Sequence, residues 1–466
     1  MRFVTTRGGP AVSFRTALFD GLAPDGGLYV PESIDVWDAD EIAQLSSRSL
    51  VDLAVRVLRP FTRGDVDEAA LTAVAASAVN FPIPLVEVEP GVYALELFHG
   101  PTLAFKDVGA RTMARLMAAL HNGGAPITVL VATSGDTGSA VAHAFHGVAH
   151  TRVVVLYPDR RVSPTQEAQL TIFNDAAGGA NVRAYAIAGS FDDCQRLARA
   201  AFADQALRRR VRLTSANSIN LGRLLPQMIY YFHAAAQLAR AGAPLWHIST
   251  PSGNFGNLTA GLMAKRAGLP VPRFIAATNV NDVVPQYLST GRFEPHASIQ
   301  TLTNAMDVGH PSNFDRMSWM YGGDLAAMRR DIAGSRHEDD EVRATIRRVY
   351  EEREYVLDPH SAIGYLGITE SARGPSEARV GGRRVRASGG GTPRAVKNAG
   401  QEGLAGIFLA TAHPAKFAEI VEPIIGRALD KPAPLVDALA RPREIIRMPA
   451  TLDALRARLT TVTDDC

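Results

Sequence analysis

The feature that most constrains the fold of this chain is a repeated unit of apolar run, turn and helical pattern. The segment Ile127–Ala132 reads ITVLVA, and an almost continuous apolar run of this length is typical of a strand buried on both faces of a parallel sheet. Further strands are predicted at 92–97, 153–156, 184–187, 246–249 and 406–410, with helices at 163–173, 191–207, 219–240 and 257–267. This alternation predicts an α/β fold built on parallel sheets.

Length and composition limit the classes of protein to consider. At 466 residues the chain exceeds what one hydrophobic core usually organises, so two or three packed units are expected. The formal net charge of +2 provides no general attraction to nucleic acid or to a membrane surface. Two cysteines, Cys194 and Cys466, form no disulfide framework, which favours a reducing compartment. No apolar signal core or membrane-length apolar run is present, so we expect a cytoplasmic location and no membrane partner.

Changes in pattern along the chain indicate where domains begin and end. Residues 1–80 are predicted to form a mostly helical N-terminal domain. The run NFPIPL at 80–85 breaks the helical pattern and indicates a linker or the entry to the next domain. Residues 81–371 and 401–466 are predicted to form α/β domains, and the family resemblance given below implies that these are catalytic domains whose segments are exchanged between a large and a small domain.

One segment, residues 372–400, has a different composition. It holds six arginines and Lys397 against a single acid, Glu377, with almost no large apolar side chains. Such a segment cannot bury enough apolar surface to offset the entropy lost on ordering, so a flexible Gly/Arg-rich insertion is predicted. A basic run can also contact nucleic acid, but no aromatic residues are interleaved here for stacking on bases. No nucleic-acid partner is therefore predicted.

The segment 99–111, HGPTLAFKDVGAR, carries a lysine in apolar surroundings, Lys106. Lysine is rare in this chain, since only five of the 49 basic residues are lysines. Burial lowers the pKa of a lysine and yields a nucleophilic amine, which arginine cannot supply. Such an amine forms a Schiff base with a carbonyl, for example that of pyridoxal phosphate. The simpler interpretation, an ion pair of Lys106 with Asp107 at a helix start, is favoured by these residues taken alone.

Two glycine-containing loops favour the Schiff-base interpretation of Lys106 over the ion pair. Each follows a predicted strand and opens a predicted helix, where free backbone N–H groups and the helix dipole favour an anion. The first loop is SGDTG: Ser134, Gly135, Asp136, Thr137 and Gly138. The second loop contains Gly253, Asn254, Phe255, Gly256 and Asn257. Ligands collect at the carboxyl ends of parallel strands, so two such loops and an apolar-flanked lysine are three parts of one plausible site.

Other motif classes are absent or weak. SGDTGSA does not have the spacing of a dinucleotide fingerprint, and neither loop is followed by the Lys-Ser/Thr of a P-loop. The chain contains no GxSxG nucleophile elbow. His143 and His146, with His150 nearby, have a spacing found in zinc sites, but no acidic ligand pair accompanies them. No metal site is predicted.

Eight longer motifs carry a resemblance to a known family. They are HGPTLAFKD, ATSGDTGSAVAHAF, SFDDCQ, SANSIN, PSGNFGNLTAGLMAKRAGLP, ATNVND, DPHSAIGYL and ATAHPAKF, in this order. Together they resemble the threonine synthase family, pyridoxal-phosphate enzymes of fold type II. The segment GLAPDGGLYVP near the start is similar to the family's N-terminal segment. The resemblance covers nearly the whole chain except 372–400 and implies parallel-sheet cofactor domains with a mostly helical N-terminal domain.

The resemblance implies a role for each matching position. Lys106 is expected to be the Schiff-base lysine and to move protons. Residues 253–257 are expected to cradle the cofactor phosphate, and Thr411 to hydrogen-bond the pyridine nitrogen. A hydroxyl there does not enforce a protonated ring, which makes the ring a milder electron sink. Loop 134–138 is expected to hold the substrate carboxylate through backbone N–H groups, an arrangement in which the acid at Asp136 has no evident role.

The substrate that the resemblance implies is O-phospho-L-homoserine, whose phosphate needs donors of its own. Asn217, Ser218 and Arg223 lie within a turn and a half at a predicted helix start, with Thr137 as a further hydroxyl donor. Lys416 is either a second phosphate contact or a surface charge. The implied reaction is a γ-elimination of phosphate followed by addition of water at the β-carbon, which gives L-threonine. The oligomeric state is expected to be a monomer or homodimer.

Three alternatives stay open at this level. A serine or threonine dehydratase uses the same cofactor but needs no second phosphate site, so the cluster from Asn217 to Arg223 argues against it. A catalytically inactive homologue is disfavoured because every expected chemical position is filled. A nicotinamide-dependent dehydrogenase lacks its glycine fingerprint.

Overall fold

The computed structural model describes residues 1–174, 181–372, 379–380, 383–384 and 405–460. Its strands are β1 (Phe3–Thr5), β2 (Tyr29–Pro31), β3 (Leu85–Glu89), β4 (Val92–Glu96), β5 (Ile127–Ala132), β6 (Thr151–Pro158), β7 (Val182–Ala188), β8 (Arg212–Ser215), β9 (Leu245–Pro251), β10 (Arg273–Thr278), β11 (Ile332–Arg336), β12 (Arg379–Val380), β13 (Arg383–Arg384), β14 (Ala405–Ala410) and β15 (Ile446–Pro449). Its α-helices are α1 (Phe14–Asp20), α2 (Ala39–Ala43), α3 (Leu50–Thr62), α4 (Glu68–Ala78), α5 (Lys106–Leu120), α6 (Asp136–Phe145), α7 (Pro164–Thr171), α8 (Phe191–Ala203), α9 (Gln205–Arg210), α10 (Leu221–Leu224), α11 (Met228–Ala241), α12 (Gly256–Arg266), α13 (Val283–Thr290), α14 (Phe314–Met320), α15 (Leu325–Asp331), α16 (Asp339–Arg353), α17 (Pro359–Ala372), α18 (Ala418–Ile425), α19 (Ala433–Ala440) and α20 (Leu452–Thr460). None of the helices in these ranges is both long and apolar enough to cross a membrane.

The smaller of the two main sheets has five strands in the order β15-β7-β6-β5-β8, all parallel. Its central strands β5 and β6 are buried along their whole length, which is why their sequences are apolar on both faces. Strands β5 and β8 are neighbours, so the segments that follow them leave the same edge of the sheet side by side. Those segments are loop 134–138 and the stretch beginning at Ala216.

The larger sheet has six strands in the order β11-β10-β9-β14-β4-β3. All neighbouring pairs are parallel except β3 and β4, which form an antiparallel edge. Strands β9, β14 and β4 are adjacent, and their carboxyl ends lead to loop 253–257, to Thr411 and to the Lys106 segment. Sheet order therefore gathers residues as far apart in the chain as Lys106 and Thr411.

The observed elements confirm the predicted α/β class and correct two helices. The helix predicted at 191–207 is divided into α8 and α9 at Asp204, whose side chain caps α9. The helix predicted at 219–240 consists of α10, a 3-10 turn at Leu225–Gln227 and α11, because Pro226 cannot continue a regular helix. Strands β3, β8, β10, β11 and β15 were not predicted, since their short sequences mix polar and apolar residues.

The N-terminal region combines α1–α4 with the two-stranded antiparallel sheet β1–β2. It packs onto the α/β part of the molecule through Trp37, which stacks on Phe232 of α11 with ring centroids 4.2 Å apart. The Trp37 backbone N–H also donates to the Ala267 carbonyl at 2.9 Å. The predicted flexible insertion 372–400 lies largely outside the described residues. The structure describes Ala372 at its start and the short antiparallel pair β12–β13 within it.

Candidate active site

Lys106 is the first residue of α5, and its position is set by the turn before it. The Thr102 N–H donates to Asp107 Oδ2 at 2.9 Å, and the Thr102 hydroxyl donates to Asp107 Oδ1 at 2.7 Å. Asp107 is fully buried, and these two bonds hold the preceding turn against the first turn of α5. The ion pair between Lys106 and Asp107, the simpler interpretation of the sequence, is not formed among the described residues.

The carboxylate nearest to Lys106 belongs to loop 134–138 instead. Lys106 Nζ lies 3.7 Å from Asp136 Oδ2, and its side chain is 14% exposed. Burial lowers the pKa of the Lys106 ammonium; the Asp136 carboxylate opposes this effect, and the Lys416 and Arg223 cations reinforce it. The structure therefore holds a lysine whose amine loses its proton more easily than usual, as a nucleophile and proton carrier requires.

Residues 253–258 form a cradle of backbone N–H groups at the start of α12. None of their backbone N–H groups has a hydrogen-bond acceptor among the described residues, although residues 255–258 are buried. Buried N–H groups almost always have partners, so a row of unpaired ones at a helix N-terminus indicates a bound anion. Phe255 has a φ of 58°, and this left-handed conformation turns the loop into the helix.

The cradle is fixed by contacts on both sides. A Cβ atom on Gly253 would lie 2.8 Å from Met306 Cα, so only glycine allows this close approach. Asn254 Nδ2 donates to the Ser218 hydroxyl at 2.6 Å, and Asn254 Oδ1 accepts from the Ser312 N–H at 2.6 Å. The Asn254 side chain is thus occupied by protein groups, which leaves its backbone N–H to face an anion.

The segment that covers Gly253 is held by a partly buried polar network. Asn279 Nδ2 donates to Asp307 Oδ1 at 2.9 Å, and Asn281 Nδ2 donates to the same oxygen at 3.3 Å. The Thr301 hydroxyl also donates to it at 2.8 Å. Asn279 and Asn281 belong to the ATNVND motif, which the sequence analysis quoted without assigning it a role; the structure shows that the motif supports the cradle.

Loop 134–138 forms a second, smaller cradle. The Thr133 hydroxyl accepts from the N–H groups of Gly135 and Gly138, both at 2.9 Å. The N–H groups of Ser134, Asp136 and Thr137 have no acceptor among the described residues. Gly135 has a φ of 143°, a conformation that favours glycine. Three N–H donors at the start of α6 match the carboxylate site that the family resemblance implies.

The residues predicted to bind the substrate phosphate differ from one another in their hydrogen-bond partners. Asn217 Nδ2 donates to the Ala132 carbonyl at 2.8 Å and ties the end of β5 to this segment. The Ser218 hydroxyl is bonded to Asn254, so it joins this segment to the cradle at 253–258. Arg223 is buried, donates from Nη1 to the Ala216 carbonyl at 2.7 Å, and has no partner for Nε. Burial lowers the pKa of its guanidinium to about 10, so it remains a cation at neutral pH.

For Lys416 the sequence left two alternatives open, a second phosphate contact or a surface charge. Lys416 is completely buried, and its Nζ lies 2.8 Å from Asp136 Oδ1 and 2.8 Å from the Thr102 carbonyl oxygen. The surface-charge alternative is therefore wrong. The sequence feature that could have placed Lys416 in the site is its position in ATAHPAKF, which follows β14 at the carboxyl end of a central strand.

Three family models together match almost the entire chain. The model described as "Pyridoxal-phosphate dependent enzyme" matches residues 78–381. The models described as "Threonine synthase N terminus" and "Threonine synthase, C-terminal" match residues 2–79 and 389–458.

Full-length relatives agree with these matches. The threonine synthase of Serratia marcescens is 43% identical to this chain over 443 residues, which covers 95% of this chain and 94% of the relative. The chain belongs to the threonine synthase family. It is a pyridoxal-phosphate-dependent lyase of fold type II, as the sequence motifs implied, and the dehydratase and inactive-homologue alternatives are not favoured.

Solved threonine synthases have the same architecture. The crystal structure of the Escherichia coli enzyme matches with a TM-score of 0.86 at 39% identity, covering 98% of this chain and 99% of that one. A pyridoxal-phosphate-bound threonine synthase from Brucella melitensis also matches with a TM-score of 0.86, at 36% identity and 99% coverage of both chains.

The residues of this threonine synthase family member fit the cofactor. The cradle of unpaired N–H groups at 253–258 suits a phosphate, and the buried Lys106 amine suits covalent attachment to an aldehyde. Thr411 follows β14 directly and is buried. Its backbone carbonyl accepts from the Phe105 N–H at 2.9 Å, which ties the end of β14 to the residue before Lys106.

Proposed function

We propose that this protein converts O-phospho-L-homoserine and water into L-threonine and phosphate. The observation that carries the choice of substrate is Arg223, a buried guanidinium whose Nε has no acceptor. The cofactor and this substrate together bring three anionic groups. The two N–H cradles accommodate the cofactor phosphate and the substrate carboxylate, which leaves the Arg223 cation for the substrate phosphate.

Each site residue has a role in this proposal. Lys106 attaches the cofactor and moves protons to and from the substrate carbons. Thr411 donates to or accepts from the cofactor ring nitrogen, and the bound ring supplies an electron sink for negative charge at the α-carbon. The substrate groups are Ser134, Gly135, Asp136, Thr137, Gly138, Asn217, Ser218 and Arg223, of which Asn217 and Ser218 act mainly by holding the segment in place.

The wider biological setting of the site is also part of the proposal. We expect a small-molecule substrate, a monomer or homodimer, and a cytoplasmic location. We retain the division into an N-terminal domain at 1–80 and catalytic domains at 81–371 and 401–466.

The test is product analysis with the full chain loaded with pyridoxal phosphate. Given O-phospho-L-homoserine, it should release phosphate and threonine in equal amounts. Release of phosphate with 2-oxobutyrate would contradict the water-addition step, and absence of both products would contradict the substrate.

A Lys106→Ala variant is the matched control. It should bind no cofactor covalently, and turnover should fall by at least about 10³-fold, because the nucleophile and proton carrier are both lost. Normal turnover by this variant would show that another residue performs the chemistry.

A further inference from the structure

We propose that Asp136 and Lys416 form a buried charge pair that positions Lys106 and controls its protonation. In this arrangement Asp136 is a positioning residue for the amine, and Lys416 offsets the charge of Asp136. The proposal rests on the proposed role of Lys106, and it assigns functions to two residues that neither the sequence nor the family resemblance explained.

The geometry divides the Asp136 carboxylate between two lysines. Oδ1 lies 2.8 Å from Lys416 Nζ, and Oδ2 lies 3.7 Å from Lys106 Nζ. Asp136 and Lys416 are both almost completely inaccessible to solvent. A buried charge is costly unless it is paired, so Lys416 allows an ionised carboxylate to stay beside Lys106.

Lys416 is also tied to the backbone that supports Lys106. Its Nζ donates to the Thr102 carbonyl at 2.8 Å, and Thr102 binds Asp107 in the first turn of α5. Lys416 lies in the 3-10 turn Pro414–Phe417 after β14, whereas Asp136 begins α6 after β5. The pair thus links the two sheets at the point where Lys106 lies.

The charges around Lys106 act in opposite directions. Burial lowers its pKa, the Asp136 carboxylate raises it, and the Lys416 and Arg223 cations lower it. For Asp136, burial alone would raise the pKa of the carboxyl, but Lys416 and Lys106, with a smaller effect from His360, hold that pKa well below its usual range. Gln166 Nε2 adds a neutral hydrogen bond to Asp136 Oδ1 at 3.4 Å.

This arrangement gives each partner a distinct effect on the amine. Loss of the carboxylate leaves Lys106 facing only cations, so its pKa falls. Loss of the Lys416 ammonium leaves Lys106 facing an unopposed carboxylate, so its pKa rises. A purely structural role for the pair predicts no such difference in sign, because removing either partner would disturb the site in the same way.

The experiment follows covalent attachment of pyridoxal phosphate to the cofactor-free full chain as a function of pH. Attachment is recorded by absorbance, and reduction with borohydride followed by peptide mapping verifies that Lys106 is the modified residue. Relative to the unmodified protein, the midpoint of the rate profile should move to lower pH in Asp136→Asn and to higher pH in Lys416→Met. Each shift should be about one pH unit, the lower end of the range for a nearby charge.

A second charge pair supplies matched controls. Lys265 Nζ lies 2.9 Å from Asp331 Oδ1, away from the site and partly exposed. Lys265→Met and Asp331→Asn remove the same charges, and they should leave the midpoint unchanged. The titrations of pyridoxal phosphate itself are common to all variants and cancel in the comparison.

Shifts in the same direction, or no shift in Asp136→Asn, would overturn the proposal. If Lys416→Met does not fold, Lys416→Gln keeps a polar group at the position and should shift the midpoint in the same upward direction. Failure of the unmodified protein to attach the cofactor at Lys106 would instead refute the role of Lys106, so the two failures are distinguishable.

Discussion

At Gly253 the absence of a side chain allows the cradle at 253–258 to form. A Cβ atom at this position would lie 2.8 Å from Met306 Cα and 2.9 Å from the Ala305 carbonyl oxygen. Both neighbours are backbone atoms, and they are held by the network around Asp307 described above. They cannot move aside as the end of a flexible side chain can.

We therefore expect Gly253→Ala to weaken binding of pyridoxal phosphate by about tenfold or more, which corresponds to about 1.4 kcal/mol of overpacking strain. Titration of the cofactor-free protein measures this affinity. Gly124→Ala is the control, because a Cβ there meets nothing within 4 Å, and its affinity should be unchanged. Equal affinities in the two variants would contradict the close approach at Gly253.

Arg223 determines recognition of the substrate phosphate in the proposed function. A charge-assisted hydrogen bond contributes about 1.5–3 kcal/mol, so Arg223→Met should lower kcat/KM for O-phospho-L-homoserine by about 10–150-fold. Covalent attachment of the cofactor at Lys106 should persist in this variant, and spectroscopy of the loaded protein checks that it does. An unchanged kcat/KM would remove Arg223 from the phosphate site.

At the scale of elements, α11 anchors the start of α12. The hydroxyls of Tyr230 and Tyr231 donate to Asn257 Oδ1 at 2.6 and 2.7 Å. All three residues are buried, so the Asn257 Oδ1 atom is held by the two tyrosines, whereas its Nδ2 has no acceptor among the described residues. The position of the helix start thus depends on the neighbouring helix.

Removing both hydroxyls should therefore loosen α12 without creating a large cavity. The double variant Tyr230→Phe/Tyr231→Phe leaves Asn257 Oδ1 buried without a donor, which costs about 1–3 kcal/mol. Chemical denaturation should show this loss in the free energy of unfolding. Tyr287→Phe is the control, since the Tyr287 hydroxyl has no hydrogen bond among the described residues, and a loss of equal size there would contradict the prediction.

At the scale of the whole molecule, the N-terminal region shares one hydrophobic core with the catalytic part. Side chains from Phe3 to Val79 belong to the same buried cluster as those of α5, α11 and α12. Trp37 is central to this contact through its stacking on Phe232. We expect the two parts to unfold together, because neither buries its apolar face alone.

Trp37→Ala should then lower the free energy of unfolding of the whole chain by about 3–5 kcal/mol, as for other large buried side chains. Denaturation followed by fluorescence and by circular dichroism should give a single coincident transition. The neighbouring Val36 is 63% exposed, and Val36→Ala should change stability by less than about 0.5 kcal/mol. An early separate transition in Trp37→Ala would show that the N-terminal region folds independently.

The sequence by itself determined the fold class, the family and the backbone positions of the site. Apolar runs such as Ile127–Ala132 and the glycines of loops 134–138 and 253–257 carry this information locally, because burial on both sheet faces, the positive φ of Gly135 and the close approach at Gly253 restrict residue type directly. Lys106 could also be identified from the sequence, because its apolar neighbours and the rarity of lysine in this chain are visible without coordinates.

Only the tertiary structure decided which side chains meet. Asp136 and Lys416 are 280 positions apart in the sequence, and they touch because β5 and β14 belong to two different sheets whose carboxyl ends face one site. Likewise, Asn257 Oδ1 is held by two tyrosines, and Ser218 binds Asn254. No local pattern encodes such pairings, because a side chain's partner depends on strand order and on the direction of each helix, and both are set by packing of the whole chain.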